Sequence, residues 1–315
     1  MRGTIIYKMT GSGNDFVMLD GRFTSPERWP ATRVAAICDR RSGVGADGLV
    51  ILTPDAPGRV RMMYWNSDGS RAAMCGNAAL CSTRLAVYLE LARPGDLCLL
   101  TEAGVVPGRC DGTGDQAEIR LPDAEIPSGL DELEAGAKER WLAFGTVGVP
   151  HLVVRVDDLE GVDVQRRGRA LRFDPVVGPE GANVNFVAPG VTHGEPWRIR
   201  TYERGVEGET LACGTGTVAA VITLAAREEA RLPVRFRSRG GPELLVRAEL
   251  NGTVAHDIWL GGQGRLLFRG VWEGVRQEIS TPRSKPSNSP LLNNFQEQYQ
   301  SRLRLSHSYP HSYLT

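Results

Sequence analysis

The amino-acid sequence predicts an α+β protein of two pseudo-symmetric α/β domains, with an active site in the cleft between them. One observation is that a Cys-Gly pair opens a helix-like stretch twice, at Cys75 and at Cys213, 138 residues apart. Another is that further landmarks recur at nearly the same separation. A period of this length is too long for a solenoid repeat and indicates two similar domains that meet at one cleft.

The matched landmarks keep their order, and their offset grows by one residue at each step. The pairs, with their offsets, are Gly13-Asn14 and Gly148-Val149 (135), Asp47 and Asn183 (136), Asn66 and Glu203 (137), and Cys75 and Cys213 (138). We predict a first domain of residues 1–121 plus a closing strand at 262–276, and a second domain of residues 122–261. Residues 277–315 are rich in Ser, Pro, Asn and Gln, a composition that predicts a disordered tail.

Strand and helix signals follow the same order in both halves. The predicted helices are Arg33–Cys38, Ala78–Leu91, Val162–Leu171 and Thr217–Ala226. The predicted strands are Thr4–Met9, Phe16–Asp20, Leu49–Leu52, Val60–Trp65, Leu97–Thr101, Ala117–Leu121, Trp141–Thr146, Leu152–Val156, Asn183–Val187, Trp197–Tyr202, Val234–Arg237, Glu243–Glu249, Val254–Leu260 and Leu266–Trp272. Glycine-rich turns separate the early strands, and Arg93-Pro94-Gly95 supplies a helix stop signal.

Composition excludes several classes of function. The chain has 315 residues, 41% of them apolar and 23% charged, with 37 basic and 37 acidic side chains. This balance is typical of a soluble globular protein and gives no sign of a nucleic-acid or membrane partner. No apolar run approaches the ~20 residues that span a bilayer, and the first residues lack the apolar core of a signal peptide. We therefore expect a cytoplasmic protein.

The remaining cysteines and the lysines argue against cofactors and metals. Six cysteines are too few for a disulfide scaffold at this length, and no Cys-x-x-Cys or His-rich cluster predicts a metal site. The cysteines at 38, 98 and 110 lie in apolar runs and are interpreted as small core residues. A pyridoxal-phosphate enzyme needs a Schiff-base lysine. Lys138 and Lys285 lie in polar segments, and Lys8 has no phosphate-binding glycine loop, so no cofactor is expected.

Two thiols at helix starts suggest cofactor-independent proton transfer. A helix amino terminus lowers a thiol pKa by favouring the anion, and its free N–H groups bind carboxylates. Cys75 and Cys213 on opposite faces of one substrate carbon would let one remove a proton while the other supplies one. They would titrate as a coupled pair. The simpler alternative is two unrelated cysteines near helix starts.

The sequence resembles the diaminopimelate epimerase family from about Tyr7 to Gly270. The motifs that carry the resemblance, in order, are Lys8–Phe16, Gly43–Gly48, Asn66–Ser70, Met74–Asn77, Thr101–Gly104, Gly148–His151, Asn183–Phe186, Glu203–Val206 and Glu209–Gly216. Each motif is weak by itself, but their order is specific. The resemblance implies that each domain is a curved, mostly antiparallel sheet around a central helix, that the active protein is a homodimer, and that the enzyme interconverts LL- and meso-2,6-diaminopimelate without a cofactor.

The resemblance also implies roles for individual residues. Cys75 and Cys213 would be base and acid, exchanging roles with the direction of reaction. The reacting carboxylate would be bound by Gly76, Asn77, Gly214 and Thr215, and the reacting ammonium by Asn14 and Glu203. The distal end would be bound by Arg204, whose planar fork suits a carboxylate, and by Asn66 and Asn183. His151 could help to orient a thiol.

Structural roles compete with each of these assignments. Asn14, Asn66 and Asn183 could be turn residues, Glu203 and Arg204 could form an ordinary surface ion pair, and His151 could be a structural histidine. The chain also departs from the family's usual pattern. Ala78 and Leu80 stand where Gly and Arg are common, Val149 stands where Asn is common, and one extra residue lengthens the loop Gly205–Glu209.

Two other functions remain open at this stage. One is a different cofactor-independent racemase or epimerase on the same fold, acting on proline, hydroxyproline or histidine. Arg204 argues against it, because a substrate with one carboxylate gives that side chain less to bind. The other is a non-catalytic homologue, and the retention of both cysteines argues against it.

Overall fold

A computed structural model describes residues 3–112, 114–130, 132–192 and 194–274, so the tail predicted at 277–315 lies outside the described residues. The described helices are α1 (Ala31–Cys38), α2 (Gly76–Tyr88), α3 (Val164–Arg172) and α4 (Gly214–Ala226). The strands are β1 (Thr4–Gly11), β2 (Asn14–Asp20), β3 (Gly48–Ala56), β4 (Arg59–Asn66), β5 (Arg71–Ala72), β6 (Leu97–Thr101), β7 (Gly104–Cys110), β8 (Gln116–Arg120), β9 (Ala124–Glu125), β10 (Glu139–Val147), β11 (Val149–Val156), β12 (Asn183–Ala188), β13 (Trp197–Glu203), β14 (Gly208–Thr210), β15 (Val234–Ser238), β16 (Glu243–Asn251), β17 (Val254–Gln263) and β18 (Arg265–Trp272).

The pairing of the strands repeats, as the sequence predicts. In the first half β1–β2 and β3–β4 are antiparallel, β2–β3 and β4–β6 are parallel, and β6–β7–β8 are antiparallel. In the second half β10–β11, β11–β12, β12–β13, β13–β15 and β15–β16–β17 follow the same succession of directions. The α+β fold with two pseudo-symmetric halves is confirmed.

The strand registers correct one of the matched landmarks. Phe16 pairs with Gly48, whereas His151 pairs with Asn183, so Gly48 rather than Asp47 is the counterpart of Asn183. In the next pair of strands, Leu49 faces Trp65 and Val184 faces Tyr202. Asn66 follows Trp65 and Glu203 follows Tyr202, so these two landmarks remain equivalent. The error was one residue, and it arose because Asp47 resembles Asn183 in shape while Gly48 has no side chain to compare.

The halves are joined through their last strands. β8 pairs with β17, and β18 returns to pair with β1, where Thr4 faces Trp272. Strand β18 therefore lies with the first half although it follows the second in sequence. The predicted boundary at 121/122 lies between β8 and β9, and the one at 261/262 lies inside β17; both stay a prediction.

Each half encloses one central helix. Helix α2 lies against β1–β4 and β6–β8, and α4 lies against β10–β12, β16 and β17. Both helices are buried on nearly every side, because they carry small and aliphatic residues where a surface helix would carry charges. A single apolar core contains residues of both helices, and α1 and α3 cover two smaller cores on the outer faces of the sheet. Among the described helices, none has both the length and the apolar character to cross a membrane.

Candidate active site

The two Cys-Gly pairs occupy equivalent places at the starts of the central helices. Cys75 and Cys213 are the N-cap residues of α2 and α4, both with extended backbone, and each helix has 13 residues. A β-carbon placed at Gly76 would lie 3.7 Å from Leu260 Cδ2, and one at Gly214 would lie 2.9 Å from the same atom. Both helix starts therefore face one methyl group, and the absence of side chains at these glycines keeps their N–H groups open to a ligand.

Burial dominates the electrostatics of both thiols. Burial raises the pKa of Cys75, and the nearby N–H groups of Asn77 and Ala78 lower it only in part. Burial and the charge of Glu203 raise the pKa of Cys213 to about 12, against the lowering effects of Gly216 N–H and the Thr215 hydroxyl. The Thr215 oxygen lies 3.8 Å from the Cys213 sulfur. The N–H groups of each helix start lower the thiol pKa, as expected, but desolvation is the larger effect and the net shift is upward.

The two thiols lie close enough to influence each other. The charge of a Cys75 thiolate contributes to raising the pKa of Cys213, and Glu203 acts on both thiols. Ionising one thiol therefore makes ionisation of the other harder. This coupling favours the state with at most one thiolate, which an acid–base pair on two faces of a carbon requires.

Asn14 is held in place by hydrogen bonds from two other segments. The Asn77 amide donates to Asn14 Oδ1 (2.7 Å), and the Asn14 amide donates to Asp47 Oδ2 (2.9 Å). Arg40 Nη2 in turn contacts Asp47 Oδ1 at 2.7 Å. Helix α2, the β1–β2 turn and the loop before β3 are thus linked, and the site incorporates two residues, Arg40 and Asp47, that sequence reasoning left out.

An ion-pair cluster next to Asn14 supports this network. Lys8 and Arg40 both contact Asp15, each at 2.6 Å. Burial would raise the pKa of Asp15, but hydrogen bonds from Arg40 and Lys8 bring it to about 2. The lysine excluded as a Schiff-base candidate is therefore occupied by a structural ion pair.

The end of β13 carries the charged side of the site. Burial raises the pKa of the Glu203 carboxyl. Asn183 is buried, and its Oδ1 accepts a hydrogen bond from Arg204 N (2.8 Å). The Arg204 side chain reaches Glu180 at 3.0 Å, and Glu180 is 77% exposed, so this weakly held partner could be exchanged for a ligand carboxylate. Asn66 donates to Ser70 Oγ at 3.0 Å in the turn after β4.

His151 belongs to a buried polar chain beneath the start of α4. The Asn185 amide nitrogen lies 3.2 Å from His151 Nδ1, and Thr201 Oγ1 donates to Asn185 Oδ1 at 3.0 Å. Asn185 lies directly against Gly216, which follows Cys213 by three residues. Burial and the charge of Arg204 lower the pKa of His151 to about 3. The histidine is therefore neutral, and its Nδ1 faces the Asn185 amide.

The departures from the family pattern fall at well-defined places. Leu80 is fully buried in the central core, where it contacts Gly262, and Ala78 is also fully buried. Val149 opens β11 and is partly buried. The lengthened loop forms the β13–β14 turn, in which Glu207 has a φ of 56° and accepts hydrogen bonds from Gly205 N and Arg172. None of these departures replaces the residues proposed for the site at the two helix starts, which are Cys75-Gly76-Asn77 and Cys213-Gly214-Thr215.

Comparisons with known proteins place the fold and then the family. The fold is shared with a hydroxyproline epimerase from Agrobacterium vitis with bound trans-4-hydroxy-L-proline, which has a TM-score of 0.58 at 17% identity over 86% of this chain and 94% of that one. A Bacillus anthracis protein of the phenazine biosynthesis PhzF family has a TM-score of 0.64 at 13% identity, over 86% and 99% of the two chains.

The sequence comparisons are more specific. The profile of the diaminopimelate epimerase family matches residues 6–120 and 144–255. The chain is 41% identical to a diaminopimelate epimerase of Gemmatimonas aurantiaca over 85% of its length and 99% of the relative's, and 38% identical to one of Aquifex aeolicus over 76% and 88%. The chain belongs to the diaminopimelate epimerase family.

Proposed function

We propose that this protein is an isomerase that interconverts LL- and meso-2,6-diaminopimelate by transferring protons between Cys75 and Cys213, without a cofactor. The observation that carries the proposal is the placement of one cysteine at the start of each central helix, with both helix starts facing Leu260. The family to which the chain belongs supplies the substrate. A homodimer and a cytoplasmic location are proposed from the family alone.

The proposed step balances without an external acid or base. One thiolate removes the α-proton, and the electron pair of the C–H bond stays on the α-carbon and spreads into the adjacent carboxylate. The opposite thiol donates its proton to the other face of that carbon. The first cysteine ends as a thiol and the second as a thiolate, so the reverse reaction uses the same pair with exchanged roles.

The helix starts would stabilise the charge that develops in this step. N–H groups at the first turns of α2 and α4 bind the carboxylate, and they favour the enolate-like intermediate more strongly than the ground state because its oxygens carry more charge. Because burial and the charge of Glu203 raise the pKa of Cys213 to about 12, the substrate itself has to favour thiolate formation. The bound ammonium beside Glu203 is one such contribution, since it offsets the charge that raises both thiol pKa values.

The proposal is tested by α-proton exchange in deuterated water. The reduced protein, without added cofactor, should incorporate deuterium at the α-carbon of LL-diaminopimelate and form the meso isomer, as followed by NMR and chiral chromatography. Proline, hydroxyproline and histidine serve as comparison substrates and should not exchange. If one of these amino acids exchanges its α-proton and diaminopimelate does not, the substrate assignment is overturned.

A further inference from the structure

Tyr64 is held in a fixed position beside the proposed site by its neighbours on the sheet. It lies two residues before Asn66 on β4, so the two side chains leave the same face of the strand. A β-carbon placed at Gly48 on β3 would lie 2.5 Å from Tyr64 Cε2 and 3.1 Å from its hydroxyl oxygen. The Tyr64 ring therefore occupies the space that any side chain at position 48 would need.

A second aromatic ring completes the support. Phe16 pairs with Gly48 across the sheet, and its ring meets that of Tyr64 edge to face, with centroids 6.1 Å apart and an interplanar angle of 77°. Tyr64 is only 8% exposed. A ring fixed in this way presents its hydroxyl at one place, at little cost in conformational entropy on binding.

Among the residues that the structure describes, none forms a hydrogen bond with the Tyr64 hydroxyl group, whereas the hydroxyl of a buried tyrosine normally has a partner. After burial, the charges of Cys75, Asp47 and Glu203 contribute to raising the pKa of Tyr64. The phenol is therefore neutral, and the charges of one proposed catalytic thiol and two carboxylates act on it.

We propose that Tyr64 is a substrate-binding residue whose hydroxyl oxygen accepts a hydrogen bond from the ammonium group at the reacting carbon of the amino acid. This rests on the proposed function, which places that carbon next to Cys75. A cation fits this position because Asp47, whose carboxylate accepts a hydrogen bond from Asn14, directly precedes Gly48, against which the Tyr64 ring lies. The negative charges of Asp47 and Glu203 act on the hydroxyl, so a substrate carboxylate would be repelled there. Asn14 and Glu203, proposed for the same ammonium, would then share it with Tyr64.

The substitution Tyr64→Phe removes the hydroxyl oxygen and leaves the ring that fills the space above Gly48. We expect KM for diaminopimelate to rise about tenfold with kcat changed by less than about twofold, because the hydrogen bond is made equally in the ground state and the transition state. Tm and the rate at which iodoacetamide alkylates Cys75 should stay close to the wild-type values. Tyr88→Phe is the matched control, since Tyr88 is half-exposed at the end of α2 and its ring meets Tyr7.

The outcomes separate this proposal from the one on which it rests. An active wild-type enzyme with an unchanged KM in Tyr64→Phe overturns the role of Tyr64 and leaves the epimerase function intact. A fall in kcat and Tm together in Tyr64→Phe would mean that the hydroxyl is structural, and it would also overturn the role. A wild-type protein that neither binds nor exchanges diaminopimelate overturns the proposed function, and with it the ligand assigned to Tyr64.

Discussion

The two halves of this protein share a backbone plan and differ in the side chains around their thiols. Below Cys75, the strand positions 16, 48 and 64 carry Phe, Gly and Tyr. Phe16 and Tyr64 form an aromatic pair, and the Tyr64 hydroxyl has no hydrogen bond to any described residue. Below Cys213, the equivalent positions 151, 183 and 201 carry His, Asn and Thr, and they form a polar, hydrogen-bonded layer with Asn185.

Charge differs between the halves as well. Strand β4 of the first half ends at the neutral residue Asn66. The equivalent strand of the second half, β13, ends at Glu203, and Arg204 follows it. A symmetric pair of proton carriers suits a reaction that runs in both directions, whereas the asymmetric surroundings suit a substrate whose two ends differ. In the proposed function, the backbone duplication would therefore serve the proton transfer, and the departures from symmetry would serve recognition.

The largest expected effect comes from removing either proton carrier. Cys75→Ala and Cys213→Ala should each reduce epimerisation by at least about 10³-fold, because one face of the carbon loses its acid or base. Each variant keeps a base on the other face. We therefore expect the two variants to exchange the α-proton of opposite isomers, one LL and the other meso, without inversion, as measured by mass spectrometry in deuterated water.

Cys98→Ala provides the control, because Cys98 is a partly buried cysteine on β6 outside the site. It should retain wild-type activity. Full epimerisation by either single variant at position 75 or 213 would refute the two-thiol mechanism. Exchange of the same isomer by both variants would show that the thiols do not lie on opposite faces.

The next effect tests the difference in charge between the halves. At Cys213, the charge of Glu203 is the largest cause of the raised pKa after burial. At Cys75, the same charge also raises the pKa, but it ranks behind burial and the two backbone hydrogen bonds. In Glu203→Gln the pKa of Cys213 should fall more than that of Cys75, so iodoacetamide should alkylate Cys213 faster near pH 8. Epimerisation should slow about 10-fold to 100-fold, because a charged hydrogen bond to the ammonium is lost.

Glu160→Gln controls for a general change in charge, since Glu160 is 76% exposed and pairs with Arg198. Its alkylation rates and activity should match the wild type. Slower alkylation of Cys213 in Glu203→Gln, or equal changes at both cysteines, would contradict the placement of this carboxylate nearer to the second thiol.

Sequence patterns predicted most of the fold because they record burial and backbone geometry. The Cys-Gly pairs mark true helix starts, and strand Leu97–Thr101 was predicted with its observed bounds. Strand β7 was missed because Gly104, Pro107 and Gly108 read as a turn, although a proline is tolerated in a strand where its missing N–H is not needed. Helix α2 was predicted to begin at Ala78, two residues late, because glycine and asparagine are weak helix formers.

The site was less predictable, since its details depend on contacts between distant segments. The sequence offered Asn14 and Asn77 as separate residues, and their hydrogen bond across 63 positions could not be read from local patterns. Tyr64 was missed for the same reason. Its sequence signal is that it stands two residues before Asn66 and that position 48 is a glycine. Only the pairing of β3 with β4 shows that Gly48 and Tyr64 are neighbours. The roles of the site residues stay a prediction.

The smallest expected effect concerns stability in acid and distinguishes His151 from its counterpart Phe16. The pKa of folded His151 is lowered to about 3 by burial and Arg204, whereas in the unfolded chain a histidine titrates near 6.5. Between these values the unfolded chain binds a proton that the folded protein excludes. His151 should therefore lower the free energy of unfolding by about 1.4 kcal/mol for each pH unit below about 6.5. Urea denaturation at about pH 7.5, 6.0 and 5.0 measures this slope.

His151→Gln should reduce this slope, because glutamine does not titrate. Asp15, with its pKa near 2, loses its ion pairs only at lower pH and leaves the measured interval unaffected. The same slope in His151→Gln and in the wild type would show that the buried histidine is protonated when the protein is folded. In that case the polar layer beneath Cys213 would carry a positive charge, and the contrast with the aromatic layer beneath Cys75 would be one of charge as well as of polarity.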